Sequence, residues 1–280
     1  TQGVSSAASD VYKRQGKMGY RLASNLKGSR FDVRHVEPSE AGAKRLKDGL
    51  GFDCVPAEAA LDGAEVVVLA VPDTLIGKVA NGIEKSLKPG TIVVVLDAAA
   101  PFAGHLPDRP DLTYFVTHPC HPPIFNDETE MDAKRDFFGG IAAKQHITSA
   151  LMQGPDEHYA LGEEVAKVIW APVMRSHRVT VEQMALLEPG LSETVCASLL
   201  VAMKEAMDEV VARGVPKEAA RDFLLGHMNV LGSVIFEETP GVFSDACNKA
   251  IEFGKPMLMR DDWKRVFEPE ELAASIRRIT

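Results

Sequence analysis

The segment Gly16-Lys17-Met18-Gly19 restricts the fold more than any other stretch of this 280-residue chain. A dinucleotide-binding turn reads G-x-G-x-x-G, comes off an apolar strand and opens a helix. Its glycines let the backbone approach a pyrophosphate on the helix N-terminus. Gly16 and Gly19 match the second and third glycines, with Lys17 and Met18 between them. Tyr20 to Leu26 continues as a helix, with Leu22 and Leu26 spaced to face a sheet. The front half of the motif has no counterpart. Ser5 to Gln15 is polar and holds neither an apolar run nor a turn glycine. Residues 1–15 therefore read as a non-native leader to be set aside from fold reasoning. The first, central strand of the sheet is expected to be missing or replaced.

The residues that follow support a nucleotide site independently. Phe31 to Val36 alternates as a short strand and ends at Glu37, about 20 residues after the glycines. A carboxylate there accepts hydrogen bonds from the adenosine ribose and repels the extra phosphate of NADP, so NAD is the expected cofactor. The alternative is that Glu37 serves the helix opened by Pro38-Ser39-Glu40. Glu65–Pro72 and Thr91–Asp97 are continuous apolar runs, the pattern of parallel strands covered on both faces. Leu112–Thr117, Lys144–Met152 and Val173–Val179 read as further strands, with helices at Leu75–Leu87 and Asp156–Trp170. The expected fold is α/β, a Rossmann-type doubly wound parallel sheet over 16–179. Ligands gather at the carboxyl ends of such strands, so the turns at Val71-Pro72-Asp73, Ala98 and His118 are expected around the cofactor.

After Thr180 the strand pattern stops and helical patterns take over, giving an all-helical domain over 180–280. Pro189-Gly190 interrupts the first of them, as a kink or as the meeting of two helices. Leu191, Val195, Leu199, Ala202, Ala206 and Val210 form a stripe at helical spacing, suited either to a homodimer contact or to intrachain core. A net charge of -9 argues against nucleic acid or an acidic membrane as partner. No apolar run is read as long enough to span a bilayer. The scattered cysteines 54, 120, 196 and 247 lack metal-finger spacing and fit a reducing cytoplasm.

Chemistry must come from polar groups that face the cofactor. His118 and His121 lie at a strand's carboxyl end in a loop stiffened by Pro119, Pro122 and Pro123. Glu188 stands at the helix break and Glu193 a turn or so later. These four are the candidate catalytic residues. Two histidines with one or two carboxylates can hold a divalent metal, with His118 and Glu188 as the expected ligands of a Zn or Mg ion. The same groups can instead act as an acid/base pair without metal. His118 is the first candidate for the base, since the unperturbed pKa of histidine lies near working pH.

Gly16-Lys17-Met18-Gly19, Ala70-Val71-Pro72-Asp73, the loop Thr117 to Pro123 and the segment Leu187 to Glu193 together resemble the D-apionate oxidoisomerase family. That family belongs among dehydrogenases with a phosphogluconate-dehydrogenase-like helical C-terminal domain. The resemblance implies NAD-linked oxidation of a branched sugar acid coupled to an isomerisation, giving 3-oxo-isoapionate. Its departure is the missing first strand and first glycine. Two other readings stand beside it. One is a plain 2- or 3-hydroxyacid dehydrogenase, although Val181 to Glu193 holds no lysine of the kind such enzymes use. The other is a non-catalytic NAD(H) sensor, which would need no convergent ionisable groups at the strand ends.

Overall fold

The computed structural model describes residues 3–8 and 16–280, with side chains from residue 18 onward. In chain order the elements are β1 (Gly3–Ala8), α1 (Gly16–Leu26), β2 (Asp32–Val36), α2 (Glu40–Leu50), α3 (Ala57–Leu61), β3 (Val66–Ala70), α4 (Asp73–Ile83), β4 (Ile92–Val95), α5 (Ala99–Phe102) and β5 (Thr113–Pro119). There follow α6 (Met131–Lys134), β6 (Gln145–Gln153), α7 (His158–Ile169), β7 (Val173–Arg178), α8 (Val181–Ala185), a π-helical segment Leu186–Ala197, α9 (Ser198–Ala212), α10 (Lys217–Ile235), α11 (Asp245–Leu258) and α12 (Pro269–Ile279).

The strands form one seven-stranded sheet in the order β2-β1-β3-β4-β5-β6-β7. It is parallel through β5, as the apolar runs predict. β6 then runs antiparallel to β5, and β7 runs parallel to β6. The reversal has a local cause. Between β5 and β6 the described helix is the single turn α6, too short for the crossover that a parallel neighbour needs.

Of the two expectations for the central strand, missing or replaced, the structure takes the second. Gly3–Ala8 lies between β2 and β3, with Val4 opposite both Val33 and Val66, and Ala7 opposite Val36 and Leu69. A strand ladder is made of backbone N–H and C=O groups, which a polar segment carries as well as an apolar one. The flanking β2 and β3 each present such a row, and the leader satisfies both.

Alternation along the strands divides the core. Val66, Val68, Val94, Phe115 and Ile147 pack on one face with Leu22, Leu26, Tyr159, Val165 and Ile169. Val67, Leu69, Val93, Val95 and Tyr114 pack on the other with Ile76 and Ala80. α7 lies so close to β5 that a Cβ on Gly162 would stand 2.5 Å from the Phe115 ring. Both faces are covered, and this is why these strands read as unbroken apolar runs.

By compactness the chain divides into Thr1–Glu188 with Ala273–Thr280, and Pro189–Leu272. The division falls at 188/189 rather than at the 179/180 boundary read from texture. Val181 and Met184 of α8 are buried with Val116 and Ala150 of the sheet, so α8 belongs to the first unit. The second unit is helical and nearly coreless. α9 and α11 bury no residue, and α10 buries Ala220 alone. Among the described residues one helical run, Val181–Ala212, is long and apolar enough by length and composition to cross a membrane. Core helices of other proteins pass the same test, and Glu188, Glu193, Lys204, Glu205, Asp208 and Glu209 interrupt this run.

Candidate active site

The site is set by the carboxyl ends of β4 and β5 and by the start of α8. Thr180 fixes that start with a reciprocal cap: its Oγ1 accepts from Gln183 N at 3.2 Å, and its own N–H donates to Gln183 Oε1 at 3.0 Å. Two turns on, Pro189 has no N–H to donate and its ring crowds the preceding turn. The helix answers by widening into the π segment, where Thr194 Oγ1 donates to Pro189 O at 2.6 Å. The break expected at Pro189-Gly190 is therefore a change of helical pitch. Glu188 sits within it.

Glu188 and His118 meet inside the first unit. His118 Nδ1–H donates to the carbonyl of Leu96 at 2.9 Å, and its Nε2 lies 2.6 Å from Glu188 Oε2. Asp97, which follows Leu96 at the end of β4, completes a cluster. Single ligand atoms of Asp97, His118 and Glu188 lie within 4.8 Å of one another. Burial opposes charge on His118, but the hydrogen bond and charge of Glu188, together with Asp97, override it and hold the imidazolium to a pKa of about 9. Burial likewise raises the Asp97 carboxyl, against the pull of Ala99 N–H, which donates to its Oδ1 at 2.6 Å.

Asp97 is the residue that sequence reading missed. Its signature was available: an acidic group closing a buried apolar strand at the ligand end of the sheet. His121 and Glu193 lie outside the cluster. His121 sits 6.0 Å from His118 between ring centroids, in the left-handed region at φ 61°, and donates through Nδ1 to Phe138 O at 2.9 Å. Glu193 is exposed and falls in the second unit.

The residues expected at the nucleotide stand at strand ends. Gly16, Lys17, Met18 and Gly19 form the first turn of α1, which follows the central strand. Val71, Pro72 and Asp73 follow β3 and open α4, and the buried Ala98 precedes α5. Because the sheet order reverses between β1 and β3, the crevice at their ends is the switch point at which such sheets take ligands. Glu37 lies just past β2, where its Oε1 accepts from Ser39 N at 2.9 Å. That is the helix-start role named as its alternative, and a carboxylate retains further lone pairs for a ribose.

Comparisons with known proteins agree with this layout. Residues 126–280 match the family described as phosphogluconate dehydrogenase (decarboxylating) C-term. Residues 15–101 match that described as NADP oxidoreductase coenzyme F420-dependent. A crystal structure of a semialdehyde dehydrogenase NAD-binding protein from Cupriavidus necator, in complex with calcium and NAD, is 69% identical. It superposes with a TM-score of 0.96 over 100% of both chains. A D-apionate oxidoisomerase from Rhizobium rhizogenes is 80% identical over 95% of this chain and 96% of its own length. Another from Cupriavidus necator is 74% identical over the same shares. With a Rossmann sheet, a helical second unit and identity of this extent, the chain belongs to the D-apionate oxidoisomerase family.

Proposed function

We propose that this chain, an NAD-linked oxidoreductase, oxidises D-apionate and isomerises the product to 3-oxo-isoapionate. The observation that carries the reading is the convergence of Asp97, His118 and Glu188 at the ligand end of the sheet. A non-catalytic NAD(H) sensor has no use for such a cluster. NAD is taken at the β1/β3 switch point, with Glu37 on the adenosine ribose and Gly16 to Gly19 at the pyrophosphate.

The cluster fits a divalent ion. Leu96 O holds the proton of His118 on Nδ1, so Nε2 offers a lone pair once its own proton leaves. One imidazole nitrogen and two carboxylates suit zinc with a position left open, and magnesium takes carboxylates together with waters. Asp97, His118 and Glu188 would hold it. When bound, such an ion polarises a ketone and stabilises the neighbouring alkoxide of an α-ketol shift.

The protein groups handle the protons. In the metal-free site His118 is protonated at neutral pH, so Glu188 rather than His118 is the acceptor for the substrate hydroxyl proton, and His118 Nε2–H orients it. Hydride leaves the carbinol carbon for the nicotinamide while the hydroxyl proton passes to Glu188, leaving a ketone. In the isomerisation a carbon substituent migrates with its bonding pair to that ketone carbon. The proton removed from the adjacent hydroxyl is returned to the former ketone oxygen.

The chain works as a homodimer in this reading, in a reducing cytoplasm where its cysteines stay free. Of the stripe on the second unit's first helix, Leu191, Leu199 and Val210 are exposed, which favours a contact between copies over intrachain core. Incubation with NAD and a panel of sugar acids, followed by product NMR, tests the activity. Formation of NADH with 3-oxo-isoapionate is expected. An unrearranged oxo acid would make the chain a plain hydroxyacid dehydrogenase, and NADH binding without turnover a sensor.

A further inference from the structure

Three basic side chains outside the cluster share its face of the sheet. His118 on β5 is opposite Thr148 on β6, and Thr148 is opposite His177 on β7. Residues opposite one another in paired strands point the same way, so these form one row. His146 pairs with Arg175, two residues before Thr148 and His177, and so lies on that face as well. The intervening residues point to the other side, where Arg178 lies 4.1 Å over the Tyr159 ring of α7. The strip reaches the sheet edge at the ligand end, and Cys120 N–H, just beyond β5, donates to His146 O at 2.9 Å.

Among the described residues the strip has no anions paired with these groups. The His146 and His177 rings are 5.7 Å apart, and buried His146 Nδ1 has no hydrogen-bond partner. Arg175 is exposed and in no ion pair among the described residues, whereas the next arginine on the strand, Arg178, pairs with Asp156. Burial and the nearby charges of Arg175 and His177 depress the pKa of His146. A guanidinium fork beside two imidazoles is a donor set shaped for a planar carboxylate. Adjacent strands lie about 4.8 Å apart, so the row from His118 to His177 spans roughly 10 Å between backbones. A long arginine side chain on the outer strand leaves room there for a small acid.

We propose that Arg175, assisted by His146 and His177, binds the carboxylate of the substrate while its hydroxyl carbons reach Asp97, His118 and Glu188. This assignment rests on reading the site as one for a sugar acid, and two measurements keep the claims separable. In kinetics with NAD and D-apionate, Arg175→Ala should raise KM by about 10- to 100-fold with kcat nearly unchanged, and Arg175→Lys should recover part of the loss. NADH affinity and Tm should stay at wild-type values. An unchanged KM, or a loss confined to kcat, removes Arg175 from substrate binding. The second measurement needs no turnover. Sodium malonate titrated into the metal-free protein should shift the His146 and His177 ring resonances saturably in NMR, and should not do so in Arg175→Ala. Resonances that stay fixed, or move equally in the variant, overturn the anion site whatever the kinetics. A saturable shift in a protein that leaves D-apionate untouched keeps the anion site and ends the D-apionate reading.

Discussion

The two units of the chain treat their apolar side chains in opposite ways. In the first, strand residues alternate between two faces and helices cover both, so that Val66, Val68, Leu69, Val94 and Phe115 are fully buried. In the second, the backbone is as regularly hydrogen-bonded but the side chains stay in water. Leu199, Val201, Phe223, Val230, Ile235 and Phe253 are all exposed. Burial of one such side chain contributes roughly 1.5–3 kcal/mol, and the second unit forgoes that contribution many times over. The lesson is that secondary structure and a core are separate achievements. The first unit folds around its own sheet and carries the cluster; the second has helices whose apolar side chains are largely exposed.

The largest expected effect confines chemistry to the first unit. Glu188→Gln and His118→Ala should each lower turnover by about 10²–10⁴-fold, the range for losing a positioned proton-transfer group. NADH affinity and the sedimentation coefficient should not change. Near-normal turnover in both variants would erase the site and leave the fold intact. A pair of core tests comes next. Leu69→Ala should cost about 2–5 kcal/mol in denaturant unfolding. Leu199→Glu and Val230→Glu should instead lower the oligomer mass in sedimentation and make Tm fall as protein is diluted. A wild-type Tm independent of concentration would break the contrast between the units.

The third effect is a pH dependence that belongs to the first unit alone. Folding raises the His118 pKa from 6.5 to about 9, so its contribution is complete below 6.5 and disappears as pH climbs through 9. For protein stripped of metal with EDTA, unfolding free energy should fall by up to roughly 3 kcal/mol across that window. His118→Gln should flatten the step; an equal step in the variant assigns it to another group. The smallest effect concerns the cofactor. Glu37→Ala should weaken NAD binding by roughly 1.5–3 kcal/mol and narrow its advantage over NADP, read by titration of both nucleotides. Wild-type preference for NADP would remove Glu37 from the ribose.

Much of this was legible in the residues themselves. Strands buried on both faces announce themselves as unbroken apolar runs, and β3, β4 and β5 lie within a residue or two of where those runs predict them. The glycines placed the first turn of α1, and Glu188 stood out because a proline follows it. Asp97 was passed over because one carboxylate at a strand end carries no spacing motif; its meaning depends on what lies across the sheet.

Local sequence determined the elements, their periodicity and the ligand end of the sheet, since these follow from side-chain pattern and backbone geometry within a few residues. Tertiary structure decided the rest. It put the small-residue segment Gly3–Ala8 into the central strand position, because two flanking strands supply hydrogen-bonding groups that any backbone can pair with. It reversed β6, and it widened the helix at Pro189 without breaking it. It also brought Asp97, His118 and Glu188 together, residues far apart in sequence whose charges perturb one another only at the few ångströms that folding creates.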